Sequence, residues 1–246
     1  MSNVSNLPPR RLPVRGSDLL LILIIALGSV RLLAGLLVGL RSGAQDSGRG
    51  DVLTLTVILL MVQTAVVLGM VHALVIRKYG LSWADLGLRP VSRRWCVRAA
   101  LAAILMMPVV ALVNSLVPTV TNEPFQNPQI YALAPMGFSW TGLVIMIVMA
   151  GVVAPLAEEI AFRGLLYPWL RDRWGVPAAA AASGLCFAAL HGVVILIPAL
   201  TVIGIVLAVL YQRSGSLWTA VIAHGVFNTV MILGLYAGLA YGFELT

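Results

Sequence analysis

The chain has 246 residues, of which 60% are hydrophobic and only 10% are charged, and its mean hydropathy is +0.99. A water-soluble domain carries about 25% charged residues, so this composition excludes an ordinary soluble enzyme or binding domain. The net charge of +7 would suit a nucleic-acid-binding protein. In a membrane protein, however, such an excess is typical of basic loops on one side of the bilayer, and we expect no nucleic-acid partner.

Apolar stretches near the roughly 20 residues that a bilayer core requires recur along the chain. They predict an all-α fold, a polytopic transmembrane bundle of about seven to eight helices. Residues 1–16, which are rich in proline and arginine, are predicted to be a disordered cytoplasmic tail, and residues 17–246 a single transmembrane domain. In chain order, the predicted spans are 18–40, 53–76, 97–117, 140–170, 176–192, 194–212 and 217–241.

Basic residues are distributed unequally between the predicted loops. They precede the first span and cluster between the second and third, whereas residues 118–138 contain Glu123 and no basic residue. Because loops rich in Lys and Arg stay in the cytoplasm, this asymmetry predicts a multi-pass protein of the cell membrane with a cytoplasmic N-terminus. The polar residues 78–96 are predicted to lie at the headgroup interface, and the proline-rich residues 117–135 to form a loop.

Small residues at a spacing of four predict close helix packing at the end of the chain, where Gly234 and Gly238 lie in the last span and Gly242 directly follows it. Without a side chain, glycine lets two helix backbones approach each other within lipid. We interpret this pattern as packing within the bundle rather than as a dimerisation surface.

Few strongly polar side chains lie within the predicted spans, and they come from three helices. They are Glu158, Glu159, Arg163, His191, His224 and Asn228. A charged group at bilayer depth costs about 2.5–3.5 kcal/mol on insertion scales, so such groups normally face a partner or a cavity. Counting 1.5 Å per residue from the basic end of each helix places four of them roughly 14–24 Å deep, within one layer.

Helix geometry separates the two adjacent glutamates. Glu159 and Arg163 are spaced i,i+4, which predicts an ion pair on one helix face. Glu158 lies about 100° away around the helix and is predicted to face a cavity. With His191, it is predicted to activate a water molecule as a general base. Taken alone, His191 is equally compatible with a packing role.

His224 and Asn228 are also spaced i,i+4 and share one helix face. Their hydrogen-bond donors suit a developing oxyanion, so the combined set predicts amide hydrolysis. Alternatively, Asn228 joins two helices through its amide.

Three motifs resemble those of the CPBP family, the CAAX prenyl proteases and bacteriocin-processing proteins, also called the Abi family. Residues 158–163 match its E-E-x-x-x-R motif, residues 187–191 its F-x-x-x-H motif and residues 224–228 its H-x-x-x-N motif. The resemblance covers about residues 140–230 and implies an intramembrane endopeptidase similar to the CAAX prenyl proteases. It implies a catalytic set of Glu158, His191, His224 and Asn228, supported structurally by Glu159, Arg163 and Phe187.

A zinc metalloprotease is the mechanistic alternative, with Glu158, His191 and His224 as ligands and a water in the open position. The sequence lacks a local His-Glu-x-x-His arrangement. Arg163 and Asn228 also suit a carboxylate and an oxyanion better than a metal. A metal-free glutamate mechanism without a cofactor is therefore favoured. The expected partners are the lipid bilayer and a peptide or protein substrate, with or without a lipid.

Two functions of other classes compete with proteolysis. A non-catalytic membrane binding or bacteriocin-immunity protein would keep the cavity and sequester a partner. A proton-coupled transporter would relay protons through Glu158 and the histidines. Intact motif residues argue against the first alternative, and the absence of repeated halves argues against the second.

Overall fold

A computed structural model describes residues 12–25, 49–122, 125–127, 129–134 and 137–243. These residues form helices and no strands, which confirms the predicted all-α bundle. Three π-helical segments, His72–Arg77, Met149–Val153 and Ile160–Leu166, continue or join the α-helices, and a short 3₁₀ turn, Val194–Leu196, precedes α8. The α-helices are α1 Gly16–Ile25, α2 Arg49–Val71, α3 Arg93–Thr121, α4 Gln129–Leu133, α5 Trp140–Val148, α6 Ala154–Glu159, α7 Tyr167–Leu190, α8 Ile197–Ser214 and α9 Leu217–Ala240.

Five helical stretches of the described residues are long and apolar enough to cross a membrane, so the protein is a multi-pass membrane protein. The longest, Trp140–Leu190, bends at Gly175, where φ is 77° and ψ is 173°. Glycine adopts such a positive φ without a steric cost. The bend lies at the boundary predicted between spans 140–170 and 176–192. The predicted span 18–40 is described only as far as α1, and the rest of it lies outside the described residues.

Two predicted non-helical regions differ from the structure. Helix α3 continues through Pro118 and ends where Asn122 adopts a left-handed φ of 57°, and α4 follows, so residues 117–135 are not all loop. At the other end of the chain, Val14 is buried against the core. The packed part of the chain therefore begins before residue 17, while residues 1–11 of the predicted tail lie outside the described residues.

The polar connection between α2 and α3 is anchored in the protein core, and its predicted place at the headgroup interface stays a prediction. The side chain of Leu86 is fully buried. The Tyr211 hydroxyl donates to the Leu86 carbonyl at 3.3 Å, and the Leu217 N–H donates to the Gly87 carbonyl at 2.7 Å. These bonds hold the end of α8 and the start of α9 in register at one end of the bundle.

The short helix α6, which carries both glutamates, lies between two π segments. Met149–Val153 ends two residues before Pro155, and Ile160–Leu166 ends two residues before Pro168. Proline has no N–H to donate, so it disturbs the regular α-helical ladder. Single π turns are common at functional sites. The predicted continuous span therefore contains a locally widened backbone around its carboxylates.

Close helix contacts occur at glycines other than those predicted. A Cβ placed on Gly204 of α8 would lie 2.5 Å from the Cα of Gly184 of α7, and one placed on Gly225 would overlap the Gly151 carbonyl oxygen. In contrast, no neighbouring atom lies within 4 Å of a Cβ on Gly234 or Gly242, so close packing at these two was wrongly predicted. The glycine contacts instead join α7 to α8, and α9 to the segment Met149–Val153.

Candidate active site

A buried ion pair links three helical elements beneath the site. Arg163 Nη1 donates to Glu159 Oε1 at 2.8 Å, and both side chains are fully buried, so the ion pair predicted from the i,i+4 spacing is present. Arg163 Nη2 donates to the Gly204 carbonyl at 2.9 Å. The guanidinium carbon lies 4.7 Å from the centre of the Phe187 ring. One cation thus connects the segment Ile160–Leu166 with α7 and α8.

His224 of α9 approaches both glutamates through its two ring nitrogens. Its Nδ1 lies 3.0 Å from Glu159 Oε1, and its Nε2 lies 3.8 Å from Glu158 Oε2. Because an ionised carboxylate only accepts hydrogen bonds, the proton of this short contact belongs to Nδ1.

The two glutamates therefore occupy different environments, as their separation of about 100° around the helix predicts. Glu159 is fully buried between Arg163 and His224, whereas the Glu158 side chain is 31% exposed. In the described part of the chain, the Glu158 carboxylate makes no ion pair with a lysine or an arginine. Of the two carboxylates, it is the one that the surrounding protein leaves partly uncovered.

His191 is the C-terminal cap of α7 and shares an aromatic neighbour with His224. Its Nδ1 lies 2.8 Å from the Phe187 carbonyl oxygen, so a proton on Nδ1 leaves Nε2 as an acceptor. The Phe187 ring packs edge-on against the rings of His191 and His224, at centroid distances of 4.6 and 5.6 Å. No hydrogen bond joins His191 directly to Glu158 within the described residues, and a water shared between them stays a prediction.

Asn228 satisfies a backbone carbonyl that the helix leaves without a partner. Its Nδ2 donates to the Ala150 carbonyl at 2.8 Å. In a π-helix this carbonyl would accept from the N–H of residue 155, but Pro155 has none. In an α-helix it would accept from the N–H of Ala154, but that N–H is already bonded to the Met149 carbonyl. The helix-joining alternative for Asn228 is therefore present in the structure. Its second amide N–H is the donor that an oxyanion role would use.

Two components of the site are backbone carbonyls that sequence reasoning missed. No side-chain pattern could have identified the Gly204 carbonyl as an acceptor for Arg163. Pro155 does provide a signal for the Ala150 carbonyl, because a proline inside an apolar span leaves an earlier carbonyl without its N–H donor. Phe162 was also missed; its ring packs edge-on against Phe187 at 5.2 Å.

The described residues contain no group of three His, Cys, Asp or Glu side chains arranged to hold a metal ion. Of the alternative zinc ligands, His224 directs Nδ1 to Glu159, and His191 directs Nδ1 to a backbone carbonyl. Glu158, His191 and His224 thus do not form a ready ligand set. Independence from metal stays a prediction.

Comparisons with known proteins concern the part of the chain that holds these residues. Residues 139–230, which contain all three motifs, match the family model described as type II CAAX prenyl endopeptidase, Rce1-like. A curated protein of Bacillus subtilis (strain 168), named "Putative membrane peptidase YdiL", is 28% identical over 89 residues. This alignment covers 36% of the chain and 36% of the relative, so it spans about a third of that protein's length. No solved structure matches the chain.

Proposed function

We propose, since residues 139–230 match the model of the Rce1-like family of type II CAAX prenyl endopeptidases, that this membrane protein is an intramembrane endopeptidase. The observation that carries the proposal is the unequal environment of two adjacent glutamates. Glu159 is ion-paired with Arg163 and accepts a hydrogen bond from His224, whereas Glu158 is partly exposed beside the His224 ring. Neighbouring carboxylates with separate environments are a recurrent means of dividing roles in hydrolytic sites.

Glu158 is proposed to act as the general base. It takes a proton from a water molecule that the free Nε2 of His191 orients, and the water oxygen forms a bond to the carbonyl carbon of the substrate. The carbonyl electron pair moves onto oxygen and creates the oxyanion. When this intermediate collapses, the C–N bond breaks and Glu158 returns its proton to the leaving amine.

His224 and Asn228 are proposed to stabilise the oxyanion. With its Nδ1–H bonded to Glu159, a doubly protonated His224 presents Nε2–H on the side where Glu158 lies. The hydrogen bond from Nδ1–H to the buried Glu159 carboxylate holds the ring in place. The second N–H of Asn228 is the other donor, and its bond to the Ala150 carbonyl fixes the direction of the amide. One preorganised donor of this kind contributes about 2.7–4 kcal/mol to catalysis.

The proposed substrate is a peptide or protein held at the bilayer, and a prenylated C-terminal cysteine motif is the first class to test because the family description names it. The N-terminus is proposed to be cytoplasmic, because the segment His72–Arg77 ends and α3 begins in a strongly basic region. The substrate would then reach the site from the cytoplasmic side.

The test is hydrolysis of a farnesylated, internally quenched peptide by the full chain in lipid nanodiscs. Glu158→Gln keeps the shape and hydrogen bonding of the side chain but removes the base, so kcat should fall by at least about 10²-fold with unchanged thermal unfolding. Full activity of this variant would refute the assignment of Glu158. The same peptide without the farnesyl group shows whether the lipid is part of the substrate.

Glu159→Gln is the matched control because it removes the adjacent charge. It leaves Arg163 buried without a carboxylate, so its main effect should be a loss of stability of about 3–5 kcal/mol. A variant at Glu158 that unfolds as readily as the one at Glu159 would mean that both glutamates are structural.

A further inference from the structure

A cavity of about 630 Å³ lies between α3 and α8, and no residue of the candidate active site lines it. Its lining combines two arginines and a tryptophan with aliphatic side chains of α8: Arg98, Arg213 and Trp95, with Ile205, Val206 and Val209 among the aliphatic residues. The cavity thus offers both cations and apolar surface, unlike the contact between α7 and α8, which is packed through glycines.

The charged side chains are gathered at one end of the cavity. Arg98 lies near the beginning of α3, and Arg213 lies in the last turn of α8, so both belong to the same end of the bundle. The Arg98 guanidinium carbon lies 4.9 Å from the centre of the Trp95 ring, which orients it beside the cavity. Both arginines are exposed, and neither forms an ion pair with a carboxylate of the described residues. Two cations are thus available to one anionic group.

The aliphatic side chains continue the cavity towards the interior of the bilayer. Ile205, Val206 and Val209 occupy positions i, i+1 and i+4 of α8 and therefore form one stripe. The stripe extends about 12 Å along the helix from the level of Arg213, since each residue adds 1.5 Å. An apolar channel that begins at two arginines is complementary to a lipid with an anionic headgroup, because the cations suit the headgroup and the apolar side chains suit an acyl chain.

We infer that this cavity binds one anionic phospholipid, with its phosphate at Arg98 and Arg213 and an acyl chain along the stripe of α8. Arginine is well suited to phosphate because its planar guanidinium can donate two parallel hydrogen bonds. Basic pockets between transmembrane helices bind lipid headgroups in this way. Free phosphate would leave the apolar stripe uncovered, and an uncharged prenyl chain would leave both cations without a partner.

Quenching of Trp95 fluorescence by brominated lipids tests this inference in the full chain. The protein is reconstituted in phosphatidylcholine vesicles that contain increasing fractions of dibrominated phosphatidylglycerol. The Trp95 contribution is the difference between the wild type and Trp95→Phe. The Trp95 fluorescence should be quenched at a lower fraction of brominated phosphatidylglycerol than of brominated phosphatidylcholine. In the Arg98→Gln/Arg213→Gln variant, the fraction of brominated phosphatidylglycerol needed for the same quenching should be roughly 25-fold higher, or about fivefold for each arginine.

The matched control is Arg93→Gln/Arg94→Gln. It removes the same charge from exposed positions in the first turn of α3 that do not line the cavity, and it should leave the quenching curve of Trp95 unchanged. An equal shift in both double variants would overturn the inference in favour of general attraction to the membrane surface. Equal quenching by the two brominated lipids would also overturn it, as would displacement of phosphatidylglycerol by a farnesylated peptide.

Discussion

Replacement of Arg163 by methionine would remove the cation that neutralises Glu159. The guanidinium donates to Glu159 Oε1 and to the Gly204 carbonyl, and both charged side chains are fully buried. Methionine has a similar length and keeps apolar contact with Phe187. The substitution therefore removes the charge and the hydrogen bonds without opening a large cavity.

The magnitude follows from three effects of different size. Removing one partner of a buried ion pair costs about 3–5 kcal/mol, because the other charge is left without compensation. The Gly204 carbonyl also loses its donor, a cost of about 1–3 kcal/mol when an acceptor stays buried. Against these losses, the His224 Nδ1–H still lies 3.0 Å from Glu159 Oε1 and keeps one hydrogen bond on the carboxylate. We therefore expect Arg163→Met to destabilise the protein by about 3 kcal/mol, the lower end of the ion-pair range.

The assay is reversible unfolding in mixed micelles of dodecyl sulfate and a neutral detergent, followed by tryptophan fluorescence. The Arg163→Met/Glu159→Gln variant should recover most of the lost stability, since neutralising both members of a buried pair is often close to neutral. Arg173→Met is the control: this exposed guanidinium lies 3.6 Å from the Trp169 ring centre, and its loss should cost less than about 1 kcal/mol. The reasoning would be refuted if Arg163→Met lowered the free energy of unfolding no more than Arg173→Met does. It would also be refuted if Arg163→Met/Glu159→Gln were less stable than Arg163→Met alone.

The remaining predictions concern His191 and the helix contact at Gly204. His191→Ala should lower the rate of peptide hydrolysis by about 10²-fold or more but change the free energy of unfolding by less than about 1 kcal/mol. Removal of metal ions by EDTA should leave wild-type turnover unchanged. Inhibition by EDTA that added zinc reverses would contradict the metal-free mechanism. Gly204→Ala should cost about 1–3 kcal/mol, because its Cβ would lie 2.5 Å from the Gly184 Cα. Gly234→Ala, in open surroundings on α9, should stabilise the helix by up to about 1 kcal/mol, and equal melting temperatures of these two variants would contradict the packing argument.

The features that sequence reasoning predicted correctly depend on interactions within one helix. Apolar length located six helical regions, and the boundary predicted between spans 140–170 and 176–192 coincides with the bend at Gly175. The pairing of Glu159 with Arg163 needs only the rise and angle of a helix. The same geometry predicted that Glu158 would point elsewhere, in agreement with its partial exposure.

The features that were missed depend on which helix lies next to which. The spacing of Gly234 and Gly242 suits close packing, yet the neighbouring helix approaches at Gly204. Which glycines are used depends on the crossing positions of whole helices, and these result from packing across the bundle rather than from local spacing. Contacts from side chains to distant carbonyls, such as Asn228 to Ala150, depend on the same long-range arrangement.

The close glycine contact and the buried ion pair depend on each other. Arg163 can reach the Gly204 carbonyl only because α8 lies against α7 with no side chain between Gly204 and Gly184. A larger residue at either glycine would move that carbonyl away and leave a guanidinium N–H buried without an acceptor. The resulting cost is that of a polar group in an apolar interior, about 1–3 kcal/mol in addition to the steric strain. Uncharged positions of α7 and α8 therefore control the orientation of Glu159, and through His224 the surroundings of the proposed base.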